Sequence, residues 1–306
     1  MSQVNFENRT VIVTGAGNGL GKAYALELGS RGAKVVVNDL GGSVDGSGSA
    51  NSPADDVVDE IVKNGGEAIA NYDSVATKEG GEAIVQSALN SYGTVDAVIN
   101  NAGILRDKSF ANMSEDELSL ILDVHLKGTF FVTQPAFKVM KENNYGRIVN
   151  VASPSGLFGN FGQANYGAAK MGIVGLSNVL SIEGAKYNIK VNVIAPTAYT
   201  RMTEALLPED VGKLFSAELV TPMVVYLASE SCEPTHEIFG VAAGRFARIG
   251  IITHNGYVNT SATAEDIAGN IDEIRTIKDG TYPLSNEDEL MIIQKAIQGS
   301  LSLIHI

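Results

Sequence analysis

Short runs of β-branched and other apolar residues recur along most of the chain, separated by longer segments whose apolar positions follow a helical spacing. We predict strands at Thr10–Thr14, Lys34–Asn38, Glu67–Tyr72, Val95–Asn100, Arg147–Ala152, Lys190–Ile194 and Ile238–Ala243. The apolar runs at 11–13 and 35–37 are continuous, which is typical of strands covered by helices on both faces. The alternation predicts an α/β fold with a central, doubly wound parallel sheet.

Two segments interrupt this alternation. The stretch Gly41–Ser52 is rich in glycine and serine and too long for an ordinary strand-to-helix turn. We therefore predict a surface insertion there, before a helix that begins near Pro53. The second segment, Ala198–Phe215, follows a strand end and is expected to be a flexible part of the substrate pocket.

The regular alternation stops near Thr260. We assign residues 1–260 to one α/β domain and residues 261–300 to a helical extension or linker, with helices predicted at Ala264–Lys278 and Asn286–Gly299. The last six residues match the translation of a common sequencing adapter, so we expect 301–306 to be a non-native tail and the natural chain to continue past Ser300.

Charge and composition narrow the classes of partner. The chain carries 22 Lys and Arg against 35 Asp and Glu, a net charge of −13, which argues against nucleic acid and an anionic membrane surface as partners. No apolar run reaches the roughly 18 residues that a membrane span requires. The single cysteine, Cys232, allows neither an internal disulfide nor a cysteine-based metal site. We expect a soluble intracellular protein without a metal centre.

The first predicted strand ends in a glycine-rich turn that opens a helix. Residues 14–21 are Thr-Gly-Ala-Gly-Asn-Gly-Leu-Gly, and glycine here lets the backbone approach a pyrophosphate at the positive end of the helix dipole. A tight turn alone would also explain the glycines, but the order of strand, turn and helix favours dinucleotide binding. The predicted contacts are Gly15, Asn18, Gly19, Leu20 and Gly21.

Polar residues also follow the next strands at the same edge of the sheet. Asp39 ends the second strand, where a carboxylate accepts hydrogen bonds from both hydroxyls of an adenine ribose and repels a 2′-phosphate. Since neither Asn18 nor Leu40 is a cation that would attract such a phosphate, NAD is predicted rather than NADP. Asp and Asn often cap turns, but their recurrence at strand ends predicts that adenine and ribose are bordered by Asp73, Ser74, Asn100, Asn101 and Gly103.

Three residues suggest chemistry at an alcohol. Tyr166 and Lys170 are four positions apart on a predicted helix, and Ser153 follows a strand 13 positions before Tyr166. Hydride transfer from an alcohol needs a proton acceptor, and a phenol serves if a neighbouring ammonium lowers its pKa from about 10. Lys170 is also predicted to bind the nicotinamide ribose, and Ser153 to hold the substrate oxygen. A Tyr and a Lys on a partly exposed helix are common and would not by themselves indicate a function. Together with Ser153 and the glycine turn they predict a catalytic group.

The glycine turn, segment 100–103, Ser153 and Tyr166-x-x-x-Lys170 together resemble the short-chain dehydrogenase/reductase family over roughly residues 5–255. The strings at 38–42, 70–75, 159–166 and 200–204 resemble one branch of it. That branch contains the (3R)-hydroxyacyl-CoA dehydrogenase units of peroxisomal multifunctional enzymes type 2, also called 17β-hydroxysteroid dehydrogenase type 4, and bacterial relatives. The resemblance implies a Rossmann fold and the oxidation of (3R)-3-hydroxyacyl-CoA to 3-ketoacyl-CoA with NAD in fatty-acid β-oxidation.

The chain departs from the wider family at two places. His125 occupies a position where the family carries an Asn that supports a water-linked proton path to the active-site Lys. The resemblance implies a proton-relay role for His125, and a packed helix residue is the alternative. Pro196-Thr197 replaces the family's Pro-Gly, and the contacts to the nicotinamide carboxamide are predicted at Thr197 and Thr200.

Two other functions stay open. One is an NAD-dependent dehydrogenase of a steroid or another bulky alcohol, and the other is a catalytically silent dinucleotide-binding protein, against which intact Ser153, Tyr166 and Lys170 argue. The resemblance further implies a homodimer or homotetramer formed through helices at about Glu115–Lys141 and Asn165–Lys186. It implies a peroxisomal location in a eukaryote and a cytoplasmic one in a bacterium.

Overall fold

A computed structural model of the chain describes residues 4–200 and 212–303. Two compact units are formed, Met1–Arg248 and Ile249–Ile306. The first is an α/β unit, and the described part of the second is mainly helical. The division at residue 260 and the non-native tail stay predictions. The string 201–204 and residues 304–306 lie outside the described residues.

The centre of the first unit is an eight-stranded sheet. Its strands are β1 (Thr10–Thr14), β2 (Lys34–Asn38), β3 (Glu67–Asn71), β4 (Ala97–Asn100), β5 (Gly146–Val151), β6 (Ile189–Thr197), β7 (Ile238–Ala242) and β8 (Arg245–Ile249). Their order is β3-β2-β1-β4-β5-β6-β7-β8, and every pairing from β3 through β7 is parallel. The order reverses between β1 and β4, and at such a switch point the ends of open α/β sheets bind ligands. The predicted doubly wound Rossmann sheet is confirmed.

Helices cover both faces of this sheet. The described helices of the first unit are α1 (Gly19–Ser30), α2 (Ser52–Lys63), α3 (Lys78–Tyr92), α4 (Glu115–Ile121), α5 (Gly128–Asn143), α6 (Pro154–Phe158), α7 (Ala164–Gly184) and α8 (Thr221–Ala228). Those of the second unit are α9 (Ala264–Gly269), α10 (Ile271–Ile274) and α11 (Asn286–Leu303). Side chains alternate along β1, so Val11 and Val13 pack in the core under α1, α2 and α8, whereas Ile12 packs under α3 and α5. Among the described helices none is long and apolar enough to cross a bilayer.

Three predicted features differ in the structure. Strand β8 was not predicted, because its residues are exposed or half-buried and form no apolar run. A two-residue turn, with positive φ at Ala243 and Gly244, joins it to β7 as an antiparallel edge strand. The helix predicted at Ala264–Lys278 is wrong, since it breaks into α9 and α10 at Asn270. The long helix predicted at Glu115–Lys141 contains a π-helical segment at Leu122–Lys127, a distortion that sequence periodicity does not show.

Candidate active site

A cleft of about 460 Å³ lies at the carboxyl ends of the parallel strands. Of the residues predicted to bind a cofactor or to catalyse, it is lined by Gly15, Asn18, Gly19, Leu20, Asp39, Asp73, Ser74, Asn101, Gly103, His125, Ser153, Tyr166, Lys170, Thr197 and Thr200. Gly21 and Asn100 do not line it. The fold thus gathers residues from six strand ends into one cavity, although their individual roles stay predictions.

The glycine turn packs closely against the end of β4. A Cβ on Gly15 would lie 2.7 Å from the Cα of Ala102, and one on Gly21 would lie 2.1 Å from the carbonyl oxygen of Gly15. Gly21 is therefore required where helix α1 packs on the turn, which explains its absence from the cleft wall. The side chain of Asn101 donates to the carbonyl oxygens of Thr14 (3.1 Å) and Gly15 (3.0 Å) and holds the turn in place.

The residues around this turn fit a dinucleotide. Gly19 has a φ of +53°, and the preceding Asn18, which begins α1, makes no capping hydrogen bond with its side chain. The first amides of the helix therefore lack the side-chain oxygen that usually satisfies them, and a pyrophosphate is a suitable acceptor. Thr200 borders the same turn, since a Cβ on Gly19 would lie 3.4 Å from its Cγ2.

Asp39 is held by two backbone amides. Gly17 donates to its Oδ2 and Gly41 to its Oδ1, both at 2.7 Å. Each carboxylate oxygen keeps a further lone pair, so the group can still accept from ribose hydroxyls. Its orientation is thus set before any ligand binds.

A buried amide network that sequence reasoning missed supports the neighbouring strand ends. The Nδ2 of Asn38 donates to the Oδ1 of Asn71 (2.8 Å) and to the carbonyl of Asp73 (2.9 Å). The Nδ2 of Asn71 in turn donates to the Oδ2 of Asp73 at 2.8 Å. Asn38 itself lines the cleft. The sequence feature that could have indicated this network is Asn38, a polar residue at the end of the otherwise apolar strand β2.

The predicted role of Asn100 beside the adenine and ribose is wrong. Its Nδ2 donates to the Oγ1 of Thr133 and to the Oδ1 of Asn150, both at 2.8 Å, and Asn150 donates to Ser177. Asn100 is buried and joins β4 to β5 and α5. The next residue, Asn101, lines the cleft instead, because successive side chains leave a strand in opposite directions.

The three predicted catalytic residues converge. Ser153 lies at the start of α6, where its Oγ accepts from the amide of Ser155 at 3.2 Å, and its side chain lies close enough to Tyr166 to stabilise the phenolate by hydrogen bonding. The Nζ of Lys170 donates to the carbonyl of Val151 at 2.6 Å and lies 5.5 Å from the centre of the Tyr166 ring. A hydroxyl bound between Ser153 and Tyr166 would therefore meet one hydrogen-bonding group and one acid–base group.

Burial disfavours the charged forms of both Lys170 and Tyr166 and so shifts their pKa values. It lowers the pKa of Lys170 to about 7, and it raises the pKa of Tyr166 above its ordinary value. The hydrogen bond from Ser153 counteracts the shift of the Tyr166 pKa, and the negative charge of Asp107 adds to it. The expectation that the pKa of Tyr166 lies below its ordinary value is therefore wrong, because burial, the largest cause, disfavours the phenolate.

His125 lies in the π-helical segment with its ring against Tyr166. The two rings meet edge to face with centres 5.1 Å apart, and the Nε2 of His125 lies 2.8 Å from the carbonyl oxygen of Ile104. Burial, with the charge of Lys170, lowers the pKa of His125 to about 3, so the ring is neutral near pH 7. A Cβ on Gly103 would lie 2.4 Å from the Cε1 of His125, so glycine at 103 makes room for the imidazole.

A second group at the rim of the cleft was also missed. The buried amide of Gln163 donates to the Oδ2 of Asp107 at 2.7 Å and accepts from the Nδ2 of Asn160 at 3.1 Å. Gln163 and Asn160 line the cleft three and six positions before Tyr166. Nothing in the sequence indicated that Asp107, on a different segment, meets them.

Comparison with known proteins agrees with this geometry. A model of the short chain dehydrogenase family matches residues 9–210. The chain belongs to the short-chain dehydrogenase family. Its cofactor is therefore a nicotinamide dinucleotide, and its reaction is an oxidoreduction. In this chain Ser153, Tyr166 and Lys170 line one cavity.

Two curated relatives and one solved structure are similar over most of the chain. A putative short-chain type dehydrogenase/reductase of Mycobacterium tuberculosis is 48% identical over 88% of this chain and 94% of its own length. A peroxisomal hydratase-dehydrogenase-epimerase of Saccharomyces cerevisiae is 48% identical over 98% of this chain but only 35% of its own length. The full-length peroxisomal multifunctional enzyme type 2 of Drosophila melanogaster superposes with a TM-score of 0.82 at 38% identity, over 97% of this chain and 50% of that one. The chain thus spans a third to a half of these multifunctional relatives.

Proposed function

We propose that this protein oxidises (3R)-3-hydroxyacyl-CoA thioesters to 3-ketoacyl-CoA thioesters with NAD. The observation that carries the proposal is the meeting of Ser153, Tyr166 and Lys170 in the cleft that the glycine turn and Asp39 also line. Similarity to a peroxisomal hydratase-dehydrogenase-epimerase and to a peroxisomal multifunctional enzyme type 2 over nearly the whole chain supports the substrate class.

In this proposal Ser153, Tyr166 and Lys170 have separate roles in the reaction. A nicotinamide bound in this cleft would supply the acceptor for the hydride of the carbinol carbon. Ser153 hydrogen-bonds the substrate hydroxyl, and Tyr166 takes up its proton as the carbonyl forms. Lys170 lies between Val151 and the ring of Tyr166, where its amine binds the nicotinamide ribose and, when protonated, favours the phenolate.

Asp39 supports NAD over NADP. Its carboxylate is held in place by the amides of Gly17 and Gly41 and would face a 2′-phosphate with a like charge. Asn18 and Leu40, which also line this part of the cleft, supply no positive charge.

We further propose that the protein is a homodimer or homotetramer. Helices α5 and α7 expose Phe130, Met171, Val179 and Ile182, each between 39% and 54% exposed, and a second copy of the chain packed on these helices would cover them. The names of the eukaryotic relatives support a peroxisomal location in a eukaryote. A bacterial protein of this kind would act in the cytoplasm.

The test is NADH fluorescence with NAD and a racemic medium-chain 3-hydroxyacyl-CoA. The expected reaction stops when half of the racemate is consumed, and the pure (3S) thioester gives no signal. Parallel reactions contain a steroid alcohol or no substrate. Turnover of the steroid alone would assign the bulky-alcohol alternative, and NADH binding without turnover of either substrate would assign a silent dinucleotide-binding protein.

A further inference from the structure

The insertion between β2 and α2 forms a closed loop. We define the clasp as residues 41–50. The two ends of the clasp, which we call its neck, lie close together. The amide of Ala50 donates to the carbonyl of Leu40 at 3.1 Å, and a Cβ on Gly41 would lie 1.8 Å from the carbonyl oxygen of Ala50. Loops of this length with adjoining ends are compact units that often carry function.

The tip of the clasp has its own internal structure. The Oδ1 of Asp45 accepts from the amide and the hydroxyl of Ser47, at 3.0 and 2.8 Å, and from the hydroxyl of Ser43. These hydrogen bonds, with that of Ser43 the strongest, lower the pKa of Asp45 to about 2. The tip is therefore a preformed turn and can move as one piece.

This tip docks on the segment that follows β4. The amide of Leu105 donates to the carbonyl of Val44 at 2.9 Å, and the Nε of Arg106 donates to the carbonyl of Asp45 at 2.8 Å. Gly46 packs on Ile104, where a Cβ would lie only 2.9 Å from the Cδ1 of that side chain. The clasp is thus attached at its neck to β2 and at its tip to the region after β4.

The space beneath the clasp is the dinucleotide groove. Strand β1 lies between β2 and β4 in the sheet, so a loop that joins the ends of β2 and β4 crosses over the end of β1 and its glycine turn. Clasp residues Gly42, Ser43, Val44 and Gly46 line the same cleft as the turn residues Gly15, Asn18 and Gly19.

We propose that the clasp closes over the bound dinucleotide and must release Leu105 and Arg106 before the dinucleotide enters or leaves. The described docking contacts are two hydrogen bonds and the packing of Gly46 against Ile104 and Leu120, few enough to open as a local event while the core stays folded. In enzymes whose lids close over a cofactor, opening often limits turnover. Clasp opening would then set the rate of NADH release. The inference rests on the nicotinamide dinucleotide cofactor and not on the identity of the alcohol.

A reversible crosslink tests the proposal. The variant Val44→Cys/Leu105→Cys joins two residues that already share a backbone hydrogen bond, and the only natural cysteine, Cys232, is buried. Oxidation after loading with NADH should slow NADH dissociation about tenfold or more, measured by fluorescence in stopped flow, and reduction should restore the rate. Oxidation before loading should slow NADH uptake. Equal rates in the oxidised and reduced forms would overturn the proposal.

A second variant tests it without a crosslink. Arg106→Ala removes a hydrogen bond from a charged donor, so NADH should dissociate up to about tenfold faster. Arg245→Ala, an exposed arginine on β8, is the matched control and should leave the rate unchanged. An unchanged rate of NADH dissociation in Arg106→Ala would contradict the proposal that clasp opening controls NADH release. Failure of the wild-type protein to bind NADH would instead contradict the cofactor assignment, so the two failures are distinguishable.

Discussion

Replacement of Lys170 with Met should stabilise the unliganded protein at neutral pH, by an amount that falls as the pH rises. Lys170 is 3% exposed, and burial lowers its pKa from 10.5 to about 7. At about 1.4 kcal/mol per pH unit, this difference removes roughly 5 kcal/mol from the free energy of unfolding where the amine is protonated in both states. Loss of the hydrogen bond to Val151 costs roughly 1 to 3 kcal/mol, so Met should gain about 2 to 4 kcal/mol at pH 6.

The direction of the pH dependence follows from proton binding. Between pH 7 and 10.5 the unfolded chain keeps the Lys170 proton and the folded chain loses it, so the wild-type protein gains stability as the pH rises. Met does not titrate. Its advantage over the wild type should therefore shrink by roughly 2.5 kcal/mol between pH 6 and pH 9.

Urea unfolding followed by circular dichroism at pH 6, 7, 8 and 9 measures this difference. Lys78→Met is the control, because Lys78 also lies in a helix but has a side chain that is 64% exposed. A difference between wild type and Lys170→Met that is constant from pH 6 to pH 9 would show that Lys170 keeps an ordinary pKa in the folded protein. The electrostatic reasoning about the site would then be wrong.

Four further measurements test the site and the assembly. Tyr166→Phe should keep the fold and NAD binding but lose roughly 10²- to 10⁴-fold in turnover, with Tyr226→Phe as a control; near-normal turnover would refute Tyr166 as the base. Asp39→Ala should weaken NAD binding roughly ten- to hundredfold and raise the relative affinity for NADP in fluorescence titrations, whereas an unchanged preference contradicts its role. The tyrosinate absorbance of wild type minus Tyr166→Phe should give a pKa above the ordinary value without cofactor and a lower one with NAD, and equal values would contradict charge coupling. Sedimentation at micromolar concentration should show a dimer or tetramer, and a monomer would contradict association through α5 and α7.

Features that depend on neighbouring residues could be predicted from the sequence. The continuous apolar runs of β1 and β2 specify strands buried on both faces, and the glycine turn between β1 and α1 is a local steric requirement. The four-residue spacing of Tyr166 and Lys170 likewise places both on one face of α7, and both line the cleft.

Features set by contacts between distant segments could not be predicted. The sequence shows that residues 41–52 form an insertion but not that Val44 reaches Leu105 across the groove. It does not show that Asp107 meets Gln163. The pKa values of Lys170 and Tyr166 depend on how completely the surrounding chain excludes water, which no local pattern encodes.

The burial of these two groups bears on the order of events in the cleft. Burial disfavours both the protonated amine of Lys170 and the phenolate of Tyr166, so a further positive charge near the phenol would help it to act as the proposed base. Oxidised nicotinamide carries a positive charge, which favours the phenolate when it lies nearby. The neutral His125 ring packs on Tyr166 and adds no competing charge. The proposed role of Tyr166 as a base therefore predicts that the dinucleotide binds before the alcohol.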